Sequence, residues 1–204
     1  MSRVLISASG FIHPDWDENY YPSDIPEEWK LAYYANDFTA VVLPEAIWRN
    51  TNPELLEEWL EDIVDAFRIY LRVTNQMPDQ NSVVFVISLF ERHFAGFFVD
   101  DSLEVNQDQL LAGVDWLVAG HPALDIAGSW GRIGEIEFKT NAVVIDEYMD
   151  KRELKQAFEG IVPFLDAESD ALVLYDVVAP VAQDLKDLRI LLELMGIALS
   201  LIHI

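Results

Sequence analysis

The sequence predicts an α/β domain built on a parallel sheet that is covered by helices. Short segments that are apolar on both sides alternate with longer segments whose apolar residues recur at helical spacing, which is typical of parallel βα units. The chain has 204 residues, of which 51% are hydrophobic, and no interior linker or repeat divides it. We therefore expect residues 1–204 to form a single domain.

The individual elements follow from start signals and apolar stripes. The clearest helix begins at Pro53, where Asn52 can cap the first turn, and its apolar residues recur at helical spacing as far as Val73. Further helices are predicted over residues 26–36, 107–118, 151–164 and 182–195. Strands are predicted over residues 4–8, 40–43, 83–89, 134–139, 171–178 and 197–204, which makes about six strands.

The charge limits the kinds of partner. Thirty-six acidic residues face thirteen basic ones, for a net charge of −23 at pH 7, and the acids are spread along the chain. A field of this sign repels nucleic-acid backbones and anionic membrane surfaces, so we expect neither as a partner. It indicates a solvated, soluble surface, and a salt-adapted source and a basic protein partner are the alternatives.

The absence of cysteine narrows the chemistry and the compartment. Without cysteines there are no disulfides, no thiolate catalysis and no cysteine-ligated metal sites. A reducing, cytoplasmic location fits this composition. The apolar run near the N-terminus is too short for a signal peptide, and no stretch reaches the roughly 18 apolar residues of a membrane span.

The order of residues in the first fifty positions is that of a known family. The carrying features are Val4-Leu5-Ile6-Ser7-Ala8-Ser9-Gly10-Phe11, Trp16, Tyr20-Tyr21-Pro22, Leu31-Ala32-Tyr33-Tyr34-Ala35, Phe38 and Val41. This opening resembles the YecE-like family, also called domain of unknown function 72. The resemblance implies a TIM-type barrel of unsettled biochemical function.

The same resemblance implies that the polar site of the family has been replaced. Functional side chains of such barrels stand at the C-terminal ends of the strands. The family's Glu and Asn of strand two align with Val42 and Pro44, its strand-three Lys with Ser88, and its Gln with Lys139. Its strand-five Glu and Arg align with Leu174 and Asp176.

The strand count bears on assembly. A complete barrel of this type needs about 250 residues and eight strands, so this chain is expected to form an incomplete one. Six strands would leave exposed sheet edges unless something covers them. A homodimer is the expected solution, and an open sheet or a rearrangement are the alternatives.

Two groups of residues are candidates for a site at the strand ends. Glu91, Arg92 and His93 follow predicted strand three and could supply an acid, an anion clamp and a base, with Tyr175 and Asp176 nearby. The alternative for the first three is a polar strand end with a local ion pair. Candidate ligand-binding residues are Ser9, His13, Trp16 and Lys139, although the first three could simply form and pin the first loop.

No cofactor or metal is predicted. Glycine-rich phosphate loops and the nucleophile-elbow pattern Gly-x-Ser-x-Gly are absent from the sequence. His93 and His203 with Glu45 or Asp176 could form a metal site, but no His-x-x-x-His spacing supports one.

Two functional hypotheses result. The first is a non-catalytic binding or assembly protein derived from a YecE-like barrel. The second is a hydrolase-like enzyme that acts on a small polar substrate at the C-terminal ends of the strands. Convergence of the candidate side chains on one pocket would favour the enzyme, and apolar strand ends would favour the binding protein.

Overall fold

Eight parallel β-strands form one sheet that curls into a nearly closed barrel. The computed structural model describes residues 3–120, 127–134, 139–166 and 169–197. The strands lie in the order β1-β8-β7-β6-β5-β4-β3-β2. Their bounds are β1 Val4–Ala8, β2 Ala40–Leu43, β3 Arg68–Val73, β4 Phe94–Val99, β5 Trp116–Ala119, β6 Ala127–Arg132, β7 Ala142–Ile145 and β8 Ala171–Tyr175.

The barrel closes between its first two strands at the C-terminal end only. Ser9 and Val42 form a single parallel bridge, and the Gly10 amide donates to the Val42 carbonyl at 2.8 Å. The Ile6 amide donates to the Thr39 hydroxyl instead of a neighbouring strand carbonyl. The TIM-type architecture is therefore confirmed, but the expected six strands are wrong because there are eight.

Seven helices accompany the strands in the described part of the chain. Their bounds are α1 Trp16–Asn19, α2 Lys30–Asp37, α3 Glu45–Asn50, α4 Pro53–Glu61, α5 Gln80–Phe90, α6 Lys151–Ile161 and α7 Ala182–Leu194. Outward strand residues pack under these helices in one apolar core, and inward residues form a second core inside the barrel. The predicted strands at 4–8, 40–43 and 171–178 and the helices at 26–36, 151–164 and 182–195 correspond to observed elements.

The predicted strand at residues 83–89 is wrong, because this segment lies in helix α5. The Asp79 carboxylate accepts a hydrogen bond from the Ser82 amide at 2.8 Å and so caps the helix. Val83, Val86 and Phe90 are buried at helical spacing, whereas Val84 and Phe85 between them are more than half exposed. A continuous apolar run does not distinguish a buried strand from such a helix.

The long helix predicted from Pro53 to Val73 is half right. Asn52 caps α4 as expected, through a bond from the Glu54 amide, but the helix ends at Glu61. Residues 68–73 form β3, which pairs with strands on both sides. Two ladders of backbone hydrogen bonds outweigh the helical spacing of the apolar residues.

The remaining differences lie between β4 and β8. The predicted helix at 107–118 is a 3-10 turn, Gln107–Gln109, followed by β5, and strands β4, β6 and β7 were not predicted. Most of the strands predicted at 134–139 and 197–204 lies outside the described residues. The chain passes from β5 to β6 in residues 120–126 and from β6 to β7 in residues 133–141. Parallel connections usually need a dozen residues or more, and these shorter ones let 204 residues form eight strands.

Gly96 occupies a backbone position that no other residue fits. Its φ is +145°, and a Cβ there would overlap the Asp115 carbonyl oxygen and lie 2.9 Å from Asp115 Cβ.

We predict that Gly96→Ala lowers the free energy of unfolding by at least about 2 kcal/mol, measured by urea denaturation. Gly160 in α6 has no atom within 4 Å of such a Cβ, so Gly160→Ala should stabilise by about 0.5–1 kcal/mol. Equal effects of the two substitutions would contradict this account.

Candidate functional site

The C-terminal end of the barrel, called the mouth below, carries a layer of charged side chains. Alternate residues of each strand point inward, so the buried lumen residues Tyr70, Trp130 and Leu174 are each followed, two positions on, by a residue at the mouth. These residues are Arg72, Arg132 and Asp176. The polar site of the mouth therefore follows from strand alternation.

Arg72 is the centre of the layer. Its Nη1 donates to both carboxylate oxygens of Asp176 at 2.8 Å and to the Ser9 hydroxyl at 3.2 Å. Its Nη2 donates to Asp100 at 2.8 Å. All three charged side chains are about four-fifths buried. One guanidinium thus connects the ends of β1, β3, β4 and β8.

Arg132 forms a second, more exposed ion-pair group. Its Nε donates to Asp146 and its Nη2 to Asp101, each at 2.6 Å. Its guanidinium lies 5.3 Å from the ring centre of Trp130. We call these two groups together the mouth network; it contains Arg72, Arg132, Asp100, Asp101, Asp146 and Asp176.

The contact between Arg72 and Asp100 favours the charged form of both side chains. Burial opposes ionisation of Asp100, but hydrogen bonds from Arg72 and the Ser102 amide outweigh it, and the pKa of Asp100 is lowered. Burial likewise opposes the Arg72 charge, but Asp176 and Asp100 raise the pKa of its guanidinium. Arg72 and Asp100 are therefore a permanent ion pair and not a proton donor and acceptor at neutral pH.

Apolar side chains fill the lumen below the mouth network. Phe98 and Trp130 stack at 5.0 Å, and the Trp130 indole donates to the Val99 carbonyl at 2.9 Å. Val42 and Leu174 are fully buried in the same inner core. The family resemblance associates both of these strand ends with polar residues. At Val42 and Leu174 this chain has buried apolar residues instead.

Ser9 and Asp176 are the two predicted site residues that the structure brings together. Both contact Arg72, which the sequence reasoning missed along with Asp100 and Arg132. The missed signal was the alternation Arg68, Tyr70, Arg72, which has the period of a strand. The third strand is Arg68–Val73, so its basic residue at the mouth is Arg72, and the alignment of the family's Lys with Ser88 is wrong because Ser88 lies in α5.

Glu91, Arg92 and His93 lie at the opposite end of the barrel, so their predicted position at the mouth is wrong. They form a 3-10 turn directly before β4. Arg92 pairs with Asp65 on the surface at 2.7 Å. His93 is buried with Nδ1 3.2 Å from the Phe67 carbonyl, and burial lowers its pKa.

The other candidates are also dispersed. Lys139 is exposed at the N-terminal end of the barrel, where its carbonyl accepts from the Ser129 hydroxyl. Tyr175 packs outward under the helices and donates to Asp184 at 3.4 Å. His121 and His203 lie outside the described residues. Among the residues that the structure describes, no three His, Asp or Glu side chains are grouped to hold a metal ion.

His13 lies in the loop after β1, and Trp16 begins helix α1 directly beyond that loop. Their rings are 4.4 Å apart, and burial lowers the pKa of His13. The Trp16 indole donates to the Pro180 carbonyl at 2.6 Å. Trp16 thus connects the segments that follow β1 and β8.

Glu45 supports the mouth from outside the lumen. One carboxylate oxygen accepts from the Thr74 amide and hydroxyl and from the Asn75 amide at 2.6–2.8 Å, and the other accepts from Arg49. Burial opposes the charge, but these bonds lower the pKa of Glu45 to about 2. The loops after β2 and β3 are held together by this carboxylate.

The fold and the mouth define an α/β barrel of the TIM type with a charged layer at its C-terminal strand ends. The model of the family described as "Protein of unknown function DUF72" matches residues 5–111, just over half of the 204 residues. The chain belongs to the DUF72 family, for which YecE-like is another name. This confirms the resemblance found in the opening residues.

Solved structures of the same family share the fold. A DUF72 family protein from Thermotoga maritima has a TM-score of 0.62 at 11% identity, over 95% of this chain and 99% of that chain. A DUF72 family protein from Enterococcus faecalis has a TM-score of 0.56 at 8% identity, over 97% and 99% of the two chains. A comparison with curated proteins finds no match. In the described part of the chain, no helix has the length and apolar character needed to cross a membrane.

We predict that Arg72→Met lowers the free energy of unfolding by about 2–4 kcal/mol, because it leaves two largely buried carboxylates unpaired. The measurement is chemical denaturation at neutral pH. Arg92→Met is the matched control, since its ion pair is exposed and should be worth less than about 1 kcal/mol. Similar losses in both variants would show that the mouth network is not stabilising.

We predict that Glu45→Gln costs about 2–3 kcal/mol at pH 7. The folded pKa of Glu45 lies below the unfolded value of about 4.3, so its contribution is present above that pH and is lost as pH falls towards 2. Denaturation curves from pH 7 to about 2 should therefore converge for the parent and the variant. Glu54→Gln, on the exposed face of α4, is the control and should cost less than about 1 kcal/mol at pH 7. A pH-independent gap for Glu45→Gln would refute this assignment.

Proposed function

We propose that the protein is a non-catalytic binding module that takes a basic protein partner, and not a nucleic acid or a membrane, at the mouth of the barrel. The observation that carries this proposal is the mouth network itself. It places four carboxylates and two guanidinium groups at the position where barrels of this type bind. A cytoplasmic location is part of the proposal, in keeping with the cysteine-free chain.

The chemistry of the mouth supports binding over catalysis. General acid–base catalysis works best with a group whose pKa lies near the operating pH. Asp100 is instead shifted away from neutrality and paired with Arg72. The candidate acid, clamp and base at positions 91–93 lie at the far end of the barrel.

The surface around the mouth supports a basic partner. Asp101 and Asp146 are each 41% exposed, and they outnumber the Arg132 that they share. Two exposed apolar residues follow neighbouring strands at the same end of the barrel: Tyr148 after β7 is 72% exposed and Val178 after β8 is 97% exposed. An apolar anchor within a charged rim is the usual composition of a protein interface.

The test uses fluorescein-labelled peptides that alternate lysine and leucine, with glutamate and leucine as the control peptide. We predict that the basic peptide binds in fluorescence anisotropy and the acidic one does not. Combined Tyr148→Ser and Val178→Ser should weaken binding about tenfold through loss of the anchors.

The matched control for this test is combined Val84→Ser and Phe85→Ser. These residues are similarly exposed apolar side chains on α5, away from the mouth. Binding should be unchanged in this variant. Equal binding by all three proteins would mean that the basic peptide follows the general negative charge, which would contradict a partner site at the mouth.

An enzyme acting on a small polar substrate is the second candidate. The observation in its favour is that Ser9, Arg72 and Asp176 meet at the C-terminal strand ends. Hydrolysis of p-nitrophenyl acetate or p-nitrophenyl phosphate that is lost in a folded Asp176→Asn variant would support it and contradict the non-catalytic proposal.

Homodimerisation remains a proposal, but the structural reason for it is different from the one that the sequence suggested. The exposed edges of a six-stranded sheet were its original reason, and the nearly closed eight-stranded barrel removes that reason. The remaining support is the exposed apolar surface at Tyr148 and Val178. Light scattering after size exclusion measures the mass, and a single-chain mass at high concentration would contradict the dimer.

A further inference from the structure

The N-terminal end of the barrel contains a cavity of about 340 Å³, which lies at the opposite end from the mouth. It is lined by the apolar residues Leu5, Phe94 and Leu117 and by the polar residues Arg68, Tyr70 and Asp115. This volume is within the range of small-molecule sites. The site is separate from the proposed partner surface, and neither proposal depends on the other.

Tyr70 is a buried side chain that lacks a partner. Only 7% of it is exposed, and its hydroxyl forms no hydrogen bond with the residues that the structure describes. By contrast, the buried Tyr34 hydroxyl donates to the Ala40 carbonyl and accepts from the Ala8 amide. The ring of Tyr70 is buried, but its hydroxyl is open to the cavity, where it is available to a ligand.

The charged side chains that act on Tyr70 lie at the N-terminal end of the barrel. Burial, and after it the charges of Asp115 and Asp170, raise the pKa of the Tyr70 phenol, while Arg68 and Arg3 act in the opposite direction. Asp115, Asp170 and Arg3 directly precede strands β5, β8 and β1, and Arg68 begins β3. Tyr70 itself lines the cavity, together with Arg68, Asp115 and Asp170.

Arg68 presents free donors to the same cavity. Its Nη1 donates to the backbone carbonyls of Asp65 at 2.8 Å and Phe67 at 3.1 Å. Within the described part of the chain its Nε and Nη2 have no acceptor, and it forms no ion pair. These two atoms form the edge of a guanidinium that binds carboxylates in a bidentate manner.

A carboxylate completes the set. Asp115 lies in the cavity wall and is exposed to solvent, and its side chain has no hydrogen-bond or ion-pair partner among the described residues. Asp170, the other carboxylate of the wall, is already paired with Arg3 at 2.6 Å. The cavity thus offers one guanidinium edge, one carboxylate and one hydroxyl that the protein itself does not use.

We propose that this cavity binds a small zwitterion of the amino-acid class. Its carboxylate pairs with Nε and Nη2 of Arg68, its ammonium pairs with Asp115, and the Tyr70 hydroxyl forms a hydrogen bond with the bound molecule. The side chain of the ligand lies against the apolar wall. Residues at this end of a TIM-type barrel usually serve stability, but within the described part of the chain Arg68 Nε and Nη2 and the Asp115 carboxylate have no partner.

The test is calorimetric titration with alanine, leucine, glutamate and lysine, with acetate and methylammonium as single-charge fragments. At least one amino acid should bind at least about tenfold more tightly than either fragment. Tyr70→Phe should weaken that binding about tenfold, which is the loss expected for one buried hydrogen bond. The melting temperature of the unliganded variant should be unchanged or higher, because the hydroxyl has no partner to lose.

Tyr175→Phe is the matched control, because this buried hydroxyl lies outside the barrel and bonds to Asp184. It should leave amino-acid binding unchanged. The proposal is overturned if no amino acid binds at about 10 mM, if the fragments bind as tightly, or if Tyr70→Phe binds like the parent. A lower melting temperature for unliganded Tyr70→Phe would also overturn it, by showing that the hydroxyl is structural.

Discussion

The need to neutralise Arg72 organises the mouth of the barrel. Strand alternation points this side chain into a lumen that is otherwise apolar, where an unpaired guanidinium would be costly. Asp100 follows β4, the neighbour of β3, and Asp176 follows β8, which lies on the other side of the seam between β1 and β2. The bonds from Arg72 to these carboxylates and to Ser9 link the strands on both sides of the seam between β1 and β2. At this seam the backbone itself supplies only one bridge.

The two ends of the barrel differ in how their polar groups are used. At the mouth, every hydrogen-bond donor that Arg72 directs into the lumen meets a carboxylate or a hydroxyl, and aromatic rings fill the space below. At the N-terminal end, the space is not filled and Arg68 bonds only to backbone carbonyls. Protein interiors are close-packed, so a cavity bordered by unused polar groups is more informative than one bordered by apolar groups.

The fold could be predicted from the sequence where a local signal and the tertiary structure agree. A local signal and the tertiary structure agree for strands β1 and β2 and for helices α6 and α7. The family resemblance rests on the segments of β1 and β2. Prediction failed where tertiary pairing decided the outcome: residues 68–73 have the spacing of a continuing helix, yet they are held between two strands. It also failed at α5, where one capping carboxylate on Asp79 determines that an apolar run is helical.

These errors explain why the candidate site was mostly missed. Once residues 83–89 are taken as strand three, positions 91–93 move to the mouth and Arg72 is hidden within a helix. Asp176 and Ser9 were found because the strands that precede them were assigned correctly. Correct strand assignment therefore decides which polar residues of a barrel are recognised as a site, since the direction of a strand determines the end at which its polar residues lie.

The scarcity of positive charge gives the unpaired Arg68 its significance. Of the thirteen basic residues, ten form ion pairs, as expected for a chain with thirty-six acids. Arg152 and Lys139 are exposed, where water solvates an unpaired cation at little cost. Arg68 is half-buried beside the buried Tyr70, and a partner for it within the protein would be easy to supply. Its charge interacts with that of Asp170, but Arg3 already binds this carboxylate, and the described residues give Arg68 no ion pair of its own. A half-buried guanidinium whose Nε and Nη2 have no acceptor there fits a carboxylate from outside the chain.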